Sequence, residues 1–196
     1  MSQPLELQHV GAKIFLDGDL QIDPEAFIPV FHRWIRQQAL DELLIDVADY
    51  RHVPAGPGVL LVAFEADYGM DNTGNRYGLR YNRKAPLAGT NQDRFRQALR
   101  SALHAAHLLE TELEGSLQFS RQEFELQVND RALAPNTPET YAACKPELDT
   151  LLNNVLGHDQ FQLAHQSDPR RIFSVTIKTA KPLDLAAVLE SLQAGG

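Results

Sequence analysis

Thiol chemistry in this 196-residue chain rests on a single cysteine, Cys144. No intramolecular disulfide can form, and no cysteine pair exists to hold zinc or to cycle between dithiol and disulfide. A reducing compartment is the environment this predicts. Long apolar runs are missing as well: nothing approaches the roughly 18 consecutive apolar residues that a membrane-spanning helix needs. The opening Met1-Ser2-Gln3-Pro4-Leu5-Glu6 has neither the basic start nor the apolar centre of an export signal. These absences predict a cytoplasmic protein with no membrane partner. Neither a G-x-S-x-G elbow nor a phosphate-cradling glycine loop occurs, and the glycines from Gly69 to Gly78 stand in the wrong order for a dinucleotide loop. No cofactor and no metal is expected from any motif.

What is present is enough to fold without staples. Apolar residues make up 43% of the chain and charged ones 22%, so a domain of this size can bury about 70% of its extended surface. One domain over residues 1–196 is the expectation, in preference to two of roughly 100 residues each. The formal net charge of −8 repels polyanions and argues against nucleic-acid binding. That charge is unevenly spread. Arg76, Arg80, Arg83, Lys84, Arg94, Arg96 and Arg100 fall within one segment that holds a single acid, Asp93, and this asymmetry is the clearest non-random feature of the sequence.

Hydrophobic periodicity orders the rest. Ala12 to Leu16 reads as a strand ended by Asp17-Gly18-Asp19, and Asp23-Pro24 opens a helix carrying Phe27, Val30, Phe31, Trp34 and Ile35, kinked at Pro29. Leu43 to Ala48 and Val59 to Ala66 read as strands joined by a stiff loop, Val53 to Gly58. After a polar stretch from Gly69 to Asn75, Tyr77 to Arg83 reads as a strand with Tyr77, Leu79 and Tyr81 on one face and Arg80 on the other. A long helix follows from about Asn91 to Leu113. Phe119 and then Phe124 to Val128, a helix opened by Thr137-Pro138, strands at Gln160 to His165 and Ile172 to Thr179, and a helix from Pro182 complete the chain. The pattern predicts an α+β fold with a mostly antiparallel sheet covered by helices. It also suggests a degenerate tandem duplication of a βαββα unit, with halves 1–114 and 115–196.

Two constellations compete for function. In the first, Arg76, Arg80, Arg83, Arg96 and Arg100, with the aromatic faces of Tyr50 and Tyr68, bind an anion, since guanidinium groups grip carboxylate or phosphate with two parallel hydrogen bonds. The competing account is a solvated helix face, or pairing with an acidic surface of this or a second copy, which is how a homodimer of self-complementary charge looks. In the second, Asp46, Asp49, His52 and Glu65 supply metal ligands, or His104 and His107 do so with Glu110. Against it, an Asp at a strand end commonly caps a turn, and a helical His commonly edges a core. Cys144 lies inside a helical pattern and carries no nucleophilic motif.

Phe27-Ile-Pro-Val-Phe-His-Arg-Trp-Ile35, Asp41-Glu-Leu-Leu-Ile-Asp-Val-Ala-Asp-Tyr50, Gly56-Pro-Gly-Val-Leu-Leu-Val62 and Glu65-Ala-Asp-Tyr68 resemble a group of uncharacterised bacterial proteins. The resemblance spans roughly the first half of the chain. It implies a bacterial, cytosolic origin and groups His32, Trp34, Asp49, Tyr50, Glu65, Asp67 and Tyr68 into one neighbourhood. It carries no activity, and the expectation, resting on the basic segment Arg76 to Arg100, is a noncatalytic, homodimeric binding or accessory protein for an anionic small molecule or an acidic partner surface. A metal-assisted enzyme and a purely structural interaction protein are the alternatives.

Overall fold

Period-two alternation is the pattern that builds this molecule. In the computed structural model, which describes residues 5–53 and 56–194, β1 (Val10–Leu16) turns Val10, Ala12, Ile14 and Leu16 towards the core and Gly11, Lys13 and Phe15 the other way. Beyond it come α1 (Phe27–Gln37), β2 (Leu44–Asp49), β3 (Val59–Ala63), β4 (Ala66–Asp71) and β5 (Gly78–Arg83). The second half runs α2 (Asn91–Glu112), β6 (Phe119–Val128), α3 (Pro138–Leu156), β7 (Phe161–His165), β8 (Phe173–Thr179) and α4 (Leu185–Ala194). Pro54 and Ala55 of the expected stiff loop, and Met1 to Pro4 of the N-terminal reading, lie outside the described residues.

The strands form one open sheet in the order β2-β3-β4-β5-β1-β6-β8-β7, and its strand pairs are antiparallel. The fold is α+β. Helix α2 crosses β1, β5 and β6, α1 covers β2 and β3, and α3 and α4 pack against α2. Between helices and sheet lie Phe31, Trp34, Phe95, Phe119, Phe124 and Phe173, all buried. Opening strand β1 pairs with β5, the last of its half, as β6 pairs with β8, and β1 and β6 meet at the centre. The first half has two strands more than a βαββα unit.

Several local expectations change. Ala66 to Asp71, split between a strand and a polar stretch in the sequence reading, is the separate strand β4, because Ala66, Tyr68 and Met70 alternate into the core. Pro29 falls in the first turn of α1, where a missing N–H breaks no intrahelical bond, so it demands no kink. Helix α4 starts at Leu185 and not at Pro182, since Asp184 Oδ1 accepts from Ala186 N and Ala187 N at 3.0 and 3.3 Å. Cys144 is buried in α3, and burial pushes its thiol up to about 11. Among the described residues no helix is long and apolar enough to cross a membrane.

Candidate functional site

An antiparallel sheet with helices on one face leaves the other to water, and here that face is strongly charged. Register aligns one residue per strand into a row across the whole sheet: Ala48, Leu60, Gly69, Arg80, Lys13, Glu125, Thr176 and Ala164, from β2 to β7. Neighbouring strands lie about 4.8 Å apart, so Arg80, Lys13 and Glu125 stand side by side. Above them is a cavity of about 460 Å³. Its floor is strand residues, and its rim comes from Thr73 and Gly74 on one side and from Arg131 and the segment between β7 and β8 on the other. No residue of the four helices lines it. Six cations (Lys13, Arg76, Arg80, Arg131, Arg170 and Arg171) and two carboxylates (Asp71 and Glu125) face this space.

Lys13 is only 2% exposed. Its ammonium donates to Asp71 Oδ2 at 2.6 Å and to Thr73 O at 3.3 Å. Burial lowers the Lys13 pKa against the opposing pull of Asp71. For Asp71, burial alone would raise the pKa, but the hydrogen bond and charge of Lys13, helped by Thr73, outweigh it and hold the carboxyl below its ordinary value. Gly78 makes room for this link: a Cβ there would meet Lys13 Cε at 3.0 Å and Ile14 O at 2.5 Å.

The remaining cations divide by partner. Arg76 lies over the Phe15 ring at 3.9 Å and grips Glu123 with bonds of 2.8 and 3.2 Å, while Arg170 grips Asp168. Among the described residues no carboxylate oxygen lies within 4.0 Å of a guanidinium nitrogen of Arg80, Arg131 or Arg171. Arg131 Nη2 donates to Arg170 O at 2.7 Å. Two buried polar atoms in this lining, Arg80 Nε and Gln127 Oε1, have no hydrogen-bond partner among the described residues. Such atoms cost on the order of 1–3 kcal/mol each unless something fills the site. The Gln127 amide is oriented by Glu125, whose carboxylate accepts from Nε2, so the carbonyl oxygen is the end left without a donor.

Of the residues singled out in the sequence, Arg76 and Arg80 enter this cavity. Strand alternation puts Arg83 on the opposite face from Arg80, where it donates to Ala85 O. Lys84 binds Asp67, Arg96 faces Asp93 at 3.6 Å, and Arg100 binds Asp41 at 2.7 Å. Buried Arg94 is a latch, tying Leu87 O, Asn91 and Glu6 together. Tyr68 is in the core, its hydroxyl donating to buried Glu42 at 2.5 Å, whereas Tyr50 is at the surface beside a second cavity of about 410 Å³. The two Ala-Asp-Tyr tripeptides are thus kept apart by β3. Trp34 is buried, while His32 is exposed.

Of the acidic set, Glu65 keeps a buried Oε2 without a hydrogen-bond partner among the described residues, and the other carboxylates are engaged with the chain itself. Asp49 is held at about 2 by Arg51, Asp46 is exposed and accepts from Val47 N, and Glu110 accepts from Phe119 N and Arg121. Among the described residues no three His, Cys, Asp or Glu side chains gather as a metal would require.

Lys13, Gln127, Arg131 and Arg171 escaped the sequence reading. A lone lysine inside the apolar run Val10 to Leu16 was the one available signal; the others come from the second half and meet Arg80 only through strand order. Comparison of the chain with protein-family models, with curated proteins and with solved structures found no match.

Proposed function

We propose that this chain is a noncatalytic binding protein for an anionic small molecule, held on the helix-free face of the sheet by Arg80, Arg131 and Arg171. The observation that carries this reading is that Arg80, Arg131 and Arg171 line one cavity with, among the described residues, no carboxylate within ion-pair distance, inside a molecule of net charge −8. A volume of about 460 Å³ suits a small organic ligand. Cations converging under a partly enclosed surface focus the local field and draw anions in. A cytosolic location belongs to the same reading, supported by the lone reduced thiol of Cys144.

Calorimetric titration with inorganic phosphate tests it. Each charge-assisted hydrogen bond contributes about 1.5–3 kcal/mol, or roughly 10- to 100-fold in affinity. Changing Arg80→Gln and Arg171→Gln together should therefore abolish measurable binding, while Arg83→Gln, on the other face, should leave it unchanged. A folded double variant that binds phosphate as the wild type does would remove the proposal.

A second reading, compatible with the first, is self-association. It is supported by Leu43, Ile45 and Phe64, which are 59%, 52% and 67% exposed. They cluster at edge strand β2, where Phe64 N donates to Leu43 O, and such a patch beside an unpaired edge favours pairing of copies.

A further inference from the structure

A smaller cavity of about 240 Å³ continues the trough towards β7 and shares Glu125, Gln166, Arg171, Ser174 and Thr176 with the first. The two differ in charge. Arg80, Arg131 and Arg171 face the larger cavity without a carboxylate partner among the described residues, whereas Arg171 and Lys178 stand with Glu123 and Glu125 in the smaller. The larger cavity therefore suits an anion, and the smaller one an uncharged polar group.

Gln127 lines the larger cavity beside Ser174, which both cavities share. It is 6% exposed, its register partner on β8 is Ser174, and its unpartnered Oε1 demands a hydrogen-bond donor. Neither the dianion of a phosphate monoester nor a carboxylate can donate, whereas an alcohol hydroxyl both donates and accepts. Ser174 and Thr176 add hydroxyls that both donate and accept. The aromatic rings lining the two cavities are already engaged, since Arg76 lies over Phe15 at 3.9 Å and Tyr141 stacks on His165 at 4.9 Å, which disfavours a nucleobase.

Building on the anion-binding reading, we infer that the ligand is a phosphorylated polyol of the sugar-phosphate class, its phosphate among Arg80, Arg131 and Arg171 and its hydroxyls against Gln127, Ser174 and Thr176. Titration of the purified full chain with inorganic phosphate, glucose 6-phosphate and adenosine monophosphate tests this. Two added hydrogen bonds should make glucose 6-phosphate bind at least about tenfold more tightly than phosphate. That ratio should fall in Gln127→Met and, as a second and milder variant, in Ser174→Ala, each verified as folded by its thermal melt. Equal affinity for the sugar ester and for phosphate overturns the polyol assignment and leaves the anion reading standing. Tighter binding of the nucleotide than of the sugar ester overturns it too. Absence of binding by any of the three overturns both readings together.

Discussion

Asp71 and Lys13 stabilise the sheet only as a pair. Each is held away from water, with side chains 10% and 2% exposed, so removing one charge strands the other in a poorly solvated place. Asp71→Asn is expected to cost about 3 kcal/mol by this argument, measurable as a lower urea midpoint at pH 7. The same link has a pH signature. In the unfolded chain the carboxyl titrates near its ordinary value of 3.8, and in the folded chain it lies lower. Its contribution is thus complete above the unfolded value and is lost as pH falls through the folded one. The wild type should lose stability below about pH 4 more steeply than Asp71→Asn, and parallel pH profiles for the two would dissolve the claim.

Helix α2 shows what one element contributes to the site without touching it. It lies under β1, β5 and β6, the strands that carry Lys13, Arg80 and Glu125, and it is fixed at its start by a reciprocal cap. Thr90 Oγ1 accepts from Asp93 N at 3.2 Å and Asp93 Oδ2 accepts from Thr90 N at 2.8 Å. Thr90→Ala should lower stability by about 1 kcal/mol and leave phosphate affinity intact; a change in affinity larger than that in stability would give the cap a role in the trough. At this scale much was legible. Asp23 and Thr137-Pro138 are local signals, and together with the apolar periodicity from Asn91 to Leu113 they placed α1, α2 and α3. Strand β4 was not, because Gly69, Asn72 and Gly74 read as loop, although Gly69 is there for close packing: a Cβ on it would meet Leu60 Cδ2 at 2.4 Å. Glycine in a strand for steric fit looks in sequence like glycine in a turn.

Across the whole molecule, the trough depends on strand order, which period-two patterns do not encode. Arg80 could be assigned a face from Leu79 and Tyr81, but its alignment with Lys13 and Glu125 follows from β1 lying between β5 and β6. Arg131 and Arg171 reach the same space from connections of the second half. The sequence cluster Arg76 to Arg100 was therefore a partial guide: its chain neighbours diverge to two faces and a helix, while the cations that join Arg80 come from far away. The same strand order separates the trough from the apolar patch, for β2 is the outermost strand and the larger cavity is floored by β4, β5, β1, β6 and β8. Pairing through Leu43, Ile45 and Phe64 would leave both troughs of a dimer open, each binding independently. Light scattering on a sizing column should then give a dimer for the wild type at tens of micromolar and a monomer for Ile45→Lys with Phe64→Lys. Because the substituted side chains are exposed, stability should change by less than about 0.5 kcal/mol, and phosphate affinity should stay as it was. A wild type that runs as a monomer would end the pairing proposal, and a monomeric variant that loses phosphate would show that the two copies share the site.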